Sequence, residues 1–255
     1  MLLSGRGHNS CDTRPVSIHM PRSSTVSILK MGFAEPELLA KYGDYVDMVR
    51  RKLPPALQPS ANIIDPATGV LPGPESVERL IITGSSSMVT DPSPTDLAAF
   101  RWLERVLAER RPVLGLCYGH QMLGHVLGGK VGPLPGGPEI GVTDVTLIAS
   151  DDPLFAACDP RQRVAVIHWQ TILELPKDAR VLGSGIRDPH QAVRFAPNVW
   201  GVQFHPEFTR NVMIDYVEAC AEEIDDTGQD SKVVATEMAA WSEDQTNIIA
   251  RFAEL

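Results

Sequence analysis

Apolar positions along the chain fall into two rhythms. Short unbroken runs of strand length, Thr25–Met31, Asn62–Asp65, Arg79–Thr83, Val113–Leu116, Arg163–His168, Ala179–Ser184, Gln191–Phe195 and Val199–Phe204, read as β-strands, most of them apolar on both faces. Between several of them apolar residues recur at helical spacing. Glu37–Leu53 reads as one helix stopped by Pro54-Pro55, and Thr95–Arg110 as a long helix capped by Ser93 or Thr95. Tyr118–Leu127 is a third, stopped by Gly128-Gly129, and Asn211–Ile224 a fourth. Strands alternating with helices indicate an α/β domain with a parallel sheet. From Lys130 to Ile148 the pattern changes to Gly- and Pro-rich chain ending in an alternating segment, which predicts antiparallel strand at the sheet edge or in a small second sheet.

The two ends differ from this middle. Residues 1–24 are polar and nearly acid-free, with no apolar stretch of the secretory kind, and read as a poorly ordered extension. Residues 225–230 read as a polar linker, and Lys232–Leu255 as one amphipathic helix with Trp241 on its apolar side. The expected division is therefore an extension over 1–24, a domain over 25–224, and a linker with a C-terminal helix over 225–255.

The bulk properties narrow the class. At 255 residues the chain is long enough for one full core. A formal net charge of −9 argues against nucleic acid as a main partner, and no apolar run approaches a membrane span. The four cysteines, Cys11, Cys117, Cys158 and Cys220, are scattered with no C-x-x-C pair, which fits a reducing, cytoplasmic setting rather than a disulfide framework or a zinc site.

The chemistry concentrates at two strand ends. Cys117 lies where the run Val113–Leu116 meets the helix from Tyr118, with Gly115 and Gly119 two positions either side. This is the Gly-x-nucleophile-x-Gly elbow with Cys in place of Ser: the glycines permit the sharp turn, and the helix N-terminus favours a thiolate and can hold a developing oxyanion. The run Val199–Phe204 ends in His205-Pro206-Glu207, where a carboxylate two residues from an imidazole can orient the ring and stabilise its cation. A Cys, a His and an orienting carboxylate are the parts of an acyl-transfer site. Gly84, just past a third strand and followed by three serines, marks a loop whose backbone can approach a ligand closely.

Taken together, ITGSSSMVTD, PVLGLCYGHQMLG and WGVQFHPEF resemble the glutamine-hydrolysing domain of class I (triad) glutamine amidotransferases, and within these the stand-alone proteins related to the GMP synthase amidotransferase domain. The likeness covers about 27–224. It implies an open, three-layer, doubly wound and mostly parallel sheet of flavodoxin-like type, with a small antiparallel subsheet. It implies Cys117 as nucleophile, His205 as base and then acid, Glu207 as orienter, and the backbone N–H groups of Gly84 and Tyr118 as oxyanion hole. It implies substrate contacts from Gln121 and from His168, Trp169 and Gln170, largely through backbone in the last three; Gln170 stands where an acidic residue is usual. It asks for no cofactor or metal. The implied substrate is glutamine or a γ-glutamyl compound, with ammonia passed to a separate synthetase subunit or released by a free-standing hydrolase, γ-glutamyl peptide cleavage being the second enzymatic reading. A third is a silent scaffold that docks a partner through the Trp241 helix. Homo-oligomerisation stays open.

Overall fold

The computed structural model describes residues 25–243 and 247–255; the extension expected over 1–24 lies outside the described residues. Eleven strands and eight helices are present among the described residues: β1 (Val26–Leu29), α1 (Pro36–Tyr42), α2 (Tyr45–Lys52), β2 (Asn62–Ile64), β3 (Arg79–Ile82), α3 (Pro94–Ala108), β4 (Val113–Leu116), α4 (Tyr118–Val126), β5 (Lys130–Pro133), β6 (Glu139–Leu147), β7 (Arg161–His168), β8 (Gln170–Glu174), β9 (Arg180–Ser184), β10 (Ala192–Ala196), β11 (Val199–Val202), α5 (Arg210–Ala219), α6 (Ala221–Asp226), α7 (Ser231–Ala240) and α8 (Ile248–Glu254). Nine strands form one sheet in the order β2-β1-β3-β4-β11-β10-β9-β6-β7, and β5 pairs with β8 as the small antiparallel subsheet.

From β2 to β11 the neighbours run parallel; beyond β11 they run antiparallel. The parallel strands are buried on both faces. On one face Ile28, Ile81, Leu114, Trp200 and Val202 pack with α2 and α8; on the other Leu29, Leu80, Ile82 and Val113 pack with α3 and α4. Each such side chain taken wholly from water contributes about 1.5–3 kcal/mol, so these strands need no polar face. This is the doubly wound α/β fold of flavodoxin-like type.

Two helical stretches differ from expectation. The run 37–53 is two helices, because Gly43 takes φ 78° and Asp44 starts a new helix with a capping box to Asp47. Asp44 also pairs with Lys30 at 2.7 Å and accepts the Ala34 N–H at 2.9 Å, which fixes the β1–α1 loop. The C-terminal stretch is likewise two helices, and the polar linker begins only after Asp226, where α6 ends. Neither terminal helix offers a free apolar face of the kind expected. Trp241 is buried and its indole N–H donates to the Arg163 carbonyl at 2.8 Å, while Ile248, Ile249 and Phe252 enter the main core.

Candidate active site

Cys117 is the hinge between β4 and α4. Its φ of 48° and ψ of −101° lie in a region that side-chain-bearing residues rarely occupy. The flanking glycines are required by contact. A Cβ on Gly115 would stand 2.4 Å from the Gly119 carbonyl oxygen, and one on Gly119 would stand 2.6 Å from the Ile82 carbonyl oxygen. The Cys117 N–H is used by the sheet, donating to Val202 O at 2.8 Å. That leaves the side chain as the group presented at the bend.

β11 runs parallel beside β4, with Gly201 opposite Gly115 and Val202 opposite Leu116. The chain past β11 thus delivers Gln203, His205 and Glu207 next to the bend. Glu207 Oε1 accepts from His205 Nδ1 at 2.8 Å, and both side chains are buried. Burial disfavours the imidazolium, but the negative charges of Glu207 and Cys117 outweigh it and raise the ring to about 10. Nε2 is buried with no hydrogen-bond partner among the described residues, as is the second Glu207 oxygen. Phe208 lies against the ring, and Gln203 donates from Nε2 to the Cys117 sulfur at 3.5 Å.

Gly84 closes the third side. A Cβ there would lie 3.3 Å from His205 Cε1 and 3.9 Å from Cys117 Cβ, so the imidazole and the cysteine flank one point at the Gly84 backbone. Neither the Gly84 nor the Tyr118 N–H donates to an acceptor among the described residues. The residues that the sequence nominates as nucleophile, base, orienter and oxyanion donors are therefore neighbours in space.

Two cavities meet at Cys117. The smaller, about 180 Å³, is lined by Gln121, His168, Trp169, Gln170 and the serines after Gly84. Gln121 Nε2 donates to Gln170 O at 2.7 Å and to Gln203 Oε1 at 3.0 Å. The His168 ring is a strut: Nε2 meets Glu139 at 3.0 Å and Nδ1 meets Gln170 O at 2.9 Å. Gln170 gives its Nε2 to Thr90 and leaves Oε1 buried without a partner among the described residues. The larger cavity, about 710 Å³, is lined by His205 and Cys117 at its inner end and by Glu35, Tyr216 and Glu223 further out, with Trp169 shared.

The sequence alone did not nominate Gln203, Phe208 or Glu139. Gln203 carries a legible signal, a polar residue in an apolar strand end two positions before His205. Glu139 carries none, since it meets His168 only through the β6–β7 register. Among the described residues no group of three or more His, Cys, Asp or Glu side chains is arranged to hold a metal, and no helix is long and apolar enough to cross a membrane.

Comparison with known proteins agrees with this geometry. GMP synthase [glutamine-hydrolyzing] of Pyrobaculum aerophilum is 34% identical over 166 residues, 65% of this chain and 31% of that one. A separately encoded GMP synthase [glutamine-hydrolyzing] subunit of Ignicoccus hospitalis is 32% identical over 157 residues, 59% of this chain and 81% of that one. The match thus spans about a third of the full-length synthase, 31%. A solved glutamine amidotransferase of Thermotoga maritima superposes with a TM-score of 0.70 at 23% identity, over 91% of this chain and 96% of that one. One from Methylobacillus flagellatus does so with a TM-score of 0.62 at 18% identity, over 91% and 94%; both likenesses speak to the fold. The model of the glutamine amidotransferase class-I family matches residues 66–223, more than half the sequence and the segment holding both strand ends of the site, and the chain belongs to that family.

Proposed function

We propose that the protein hydrolyses the side-chain amide of glutamine, or of a γ-glutamyl compound, through Cys117, His205 and Glu207. The observation that carries this reading is a cysteine on a strained bend beside a buried imidazole whose other nitrogen is held by a carboxylate at 2.8 Å. His205 takes the thiol proton, and the sulfur bonds to the amide carbon. The oxyanion that forms is held by the Gly84 and Tyr118 N–H groups. The carbon–nitrogen bond then breaks and the proton on His205 goes to the departing nitrogen, leaving a γ-glutamyl thioester. Water, deprotonated by His205, attacks the thioester; the carbon–sulfur bond breaks and glutamate leaves.

The smaller cavity suits the glutamyl portion. The unpaired Gln170 oxygen would accept from its α-ammonium in place of a carboxylate, and Gln121 would line its path. Glu139 and His168 fix the Gln170 carbonyl that in turn holds Gln121. The nitrogen released would be ammonia passed to a separately encoded synthetase partner, in keeping with the similarity to a GMP synthase chain that is itself one subunit. The larger cavity supports a second reading, in which the nitrogen carries a substituent and the enzyme cleaves γ-glutamyl amides. The catalytic unit would be 25–224, working in the cytoplasm.

The test is ammonia release from glutamine by the purified chain, with Cys117→Ala beside it. Turnover that vanishes in the variant, with a γ-glutamyl adduct trapped on Cys117 at low pH, is the expected result. Turnover that survives in Cys117→Ala overturns the mechanism.

A further inference from the structure

The general acid must hand its proton to the leaving nitrogen, so the leaving group departs on the side of His205. His205 lines the larger cavity and not the smaller one. The space on the leaving side is about 710 Å³, while at a liquid-like ~30 Å³ per heavy atom the whole of glutamine needs no more than about 300 Å³. Ammonia alone leaves that cavity almost empty.

The lining says what would fill it. Glu35 stands on the loop after β1, and Glu223 on α6; both are exposed at the mouth, and among the described residues neither is paired with a cation. Lys41, the lining cation other than His205, is bound to Asp215 at 2.8 Å. Burial first, and then the Glu223 and Glu35 carboxylates, push the Cys220 thiol between them up to about 11, so both negative charges reach one region of the wall. The inner wall offers the aromatic faces of Trp169 and Tyr216. Glu35 is not on a loose segment, since the Ala34 N–H beside it is held by Asp44. An aromatic wall under an acidic mouth attracts an aliphatic chain ending in an ammonium, and repels a terminal carboxylate.

We infer that the larger cavity is a leaving-group site for amines bearing a second, cationic nitrogen, which makes the preferred substrate a mono-γ-glutamyl amide of an aliphatic diamine. This rests on the triad reading above and narrows it. The products are glutamate and the free diamine, the amide nitrogen taking its proton from His205 and the acyl group passing from sulfur to water. The acidic mouth disfavours γ-glutamyl peptides, whose leaving amine carries a carboxylate.

The experiment compares the γ-glutamyl amides of diaminobutane, pentylamine and an ω-amino acid of the same length, with glutamine as reference. The expected order in kcat/KM is cationic, then neutral, then anionic, each step roughly tenfold at low ionic strength and shrinking as salt is added. In the Glu35→Gln, Glu223→Gln double variant the cationic-to-neutral ratio should collapse towards one, and Glu35→Lys should invert the order. The inference is overturned if the three tails are cleaved alike or in the opposite order. It is equally overturned if only glutamine is cleaved, in which case the cavity serves the passage of ammonia to a partner. If neither glutamine nor any amide is cleaved, the triad reading itself fails and takes this inference with it.

Discussion

Phe208 lies flat on His205, with ring centroids 4.1 Å apart and planes 4° from parallel. Phe208 is itself stacked on Tyr216 at 5.4 Å and on Tyr45 at 6.2 Å, and the two tyrosine hydroxyls share a hydrogen bond of 2.8 Å. The imidazole is thus gripped at its edge by Glu207 and on its face by an aromatic stack. Phe208→Ala should destabilise the fold by about 3–5 kcal/mol. It should also lower kcat by up to about a hundredfold with little change in KM, because the ring loses its orientation. Phe208→Tyr should restore kcat. Steady-state kinetics on the three proteins, with thermal melts, checks this.

Glu207 sets the pH range in which His205 keeps its proton. With the ring raised to about 10, the alkaline limb of the activity profile should lie near that value. Glu207→Gln removes a charge that favours the imidazolium, so the limb should move down by more than one pH unit and kcat should fall roughly a hundredfold. The same shift has a stability sign. A raised folded value contributes stability that is present below the ordinary histidine value of 6.5 and is lost as pH rises through about 10, and the variant should lose that alkaline decline.

His120 works in the opposite direction. It is fully buried, neither ring nitrogen has a hydrogen-bond partner among the described residues, and burial lowers it from 6.5 to about 3. The unfolded chain takes up this proton below 6.5 and the folded chain resists it, so stability should fall as pH drops from 6.5 towards 3, by roughly 4–5 kcal/mol in all. Denaturant titrations across that range should show a shallower acid slope in His120→Leu. The part due to Glu139, which His168 holds below the usual carboxylate range against the opposing effect of burial, should remain.

The bend at Cys117 tolerates no side chain beside it. Gly115→Ala and Gly119→Ala drive a carbon onto backbone atoms at 2.4 and 2.6 Å, and should cost several kcal/mol or prevent folding. Gly128→Ala is the comparison: nothing lies within 4 Å of its Cβ position, so only the positive φ of 91° is penalised, at about 1–2 kcal/mol. Urea unfolding of the soluble variants orders them.

The C-terminal helices belong to the core. Phe252 is fully buried and meets the Trp200 ring edge-on at 6.2 Å. Truncation after Asp230 should lower the melting temperature sharply, and Trp241→Ala alone should cost about 3–5 kcal/mol. A truncated chain as stable as the full one would contradict this.

What the sequence made legible follows from where the information is local. Gly115, Cys117 and Gly119 announce a turn because the constraint is between residues two apart, and the strand runs announce themselves because both faces are buried. The break at Gly43-Asp44 was also local, a turn glycine followed by a capping residue, but it was masked by apolar spacing that continues through it. The grip of Phe208 on His205, the Gln121–Gln170–His168–Glu139 chain and the seat of Trp241 depend on which elements meet in space. No window of sequence holds both partners.

Leu116 and Val202 lie opposite one another on adjoining parallel strands, one residue before the bend and three before the imidazole. The sulfur and its proton acceptor therefore ride on a single hydrogen-bonded ladder, while the loops bearing Glu35 and Ser85 hang from β1 and β3. Breathing of those loops can widen or narrow the entrance for a bulky guest without altering the spacing of the proton relay, so access and reactivity are free to be tuned separately.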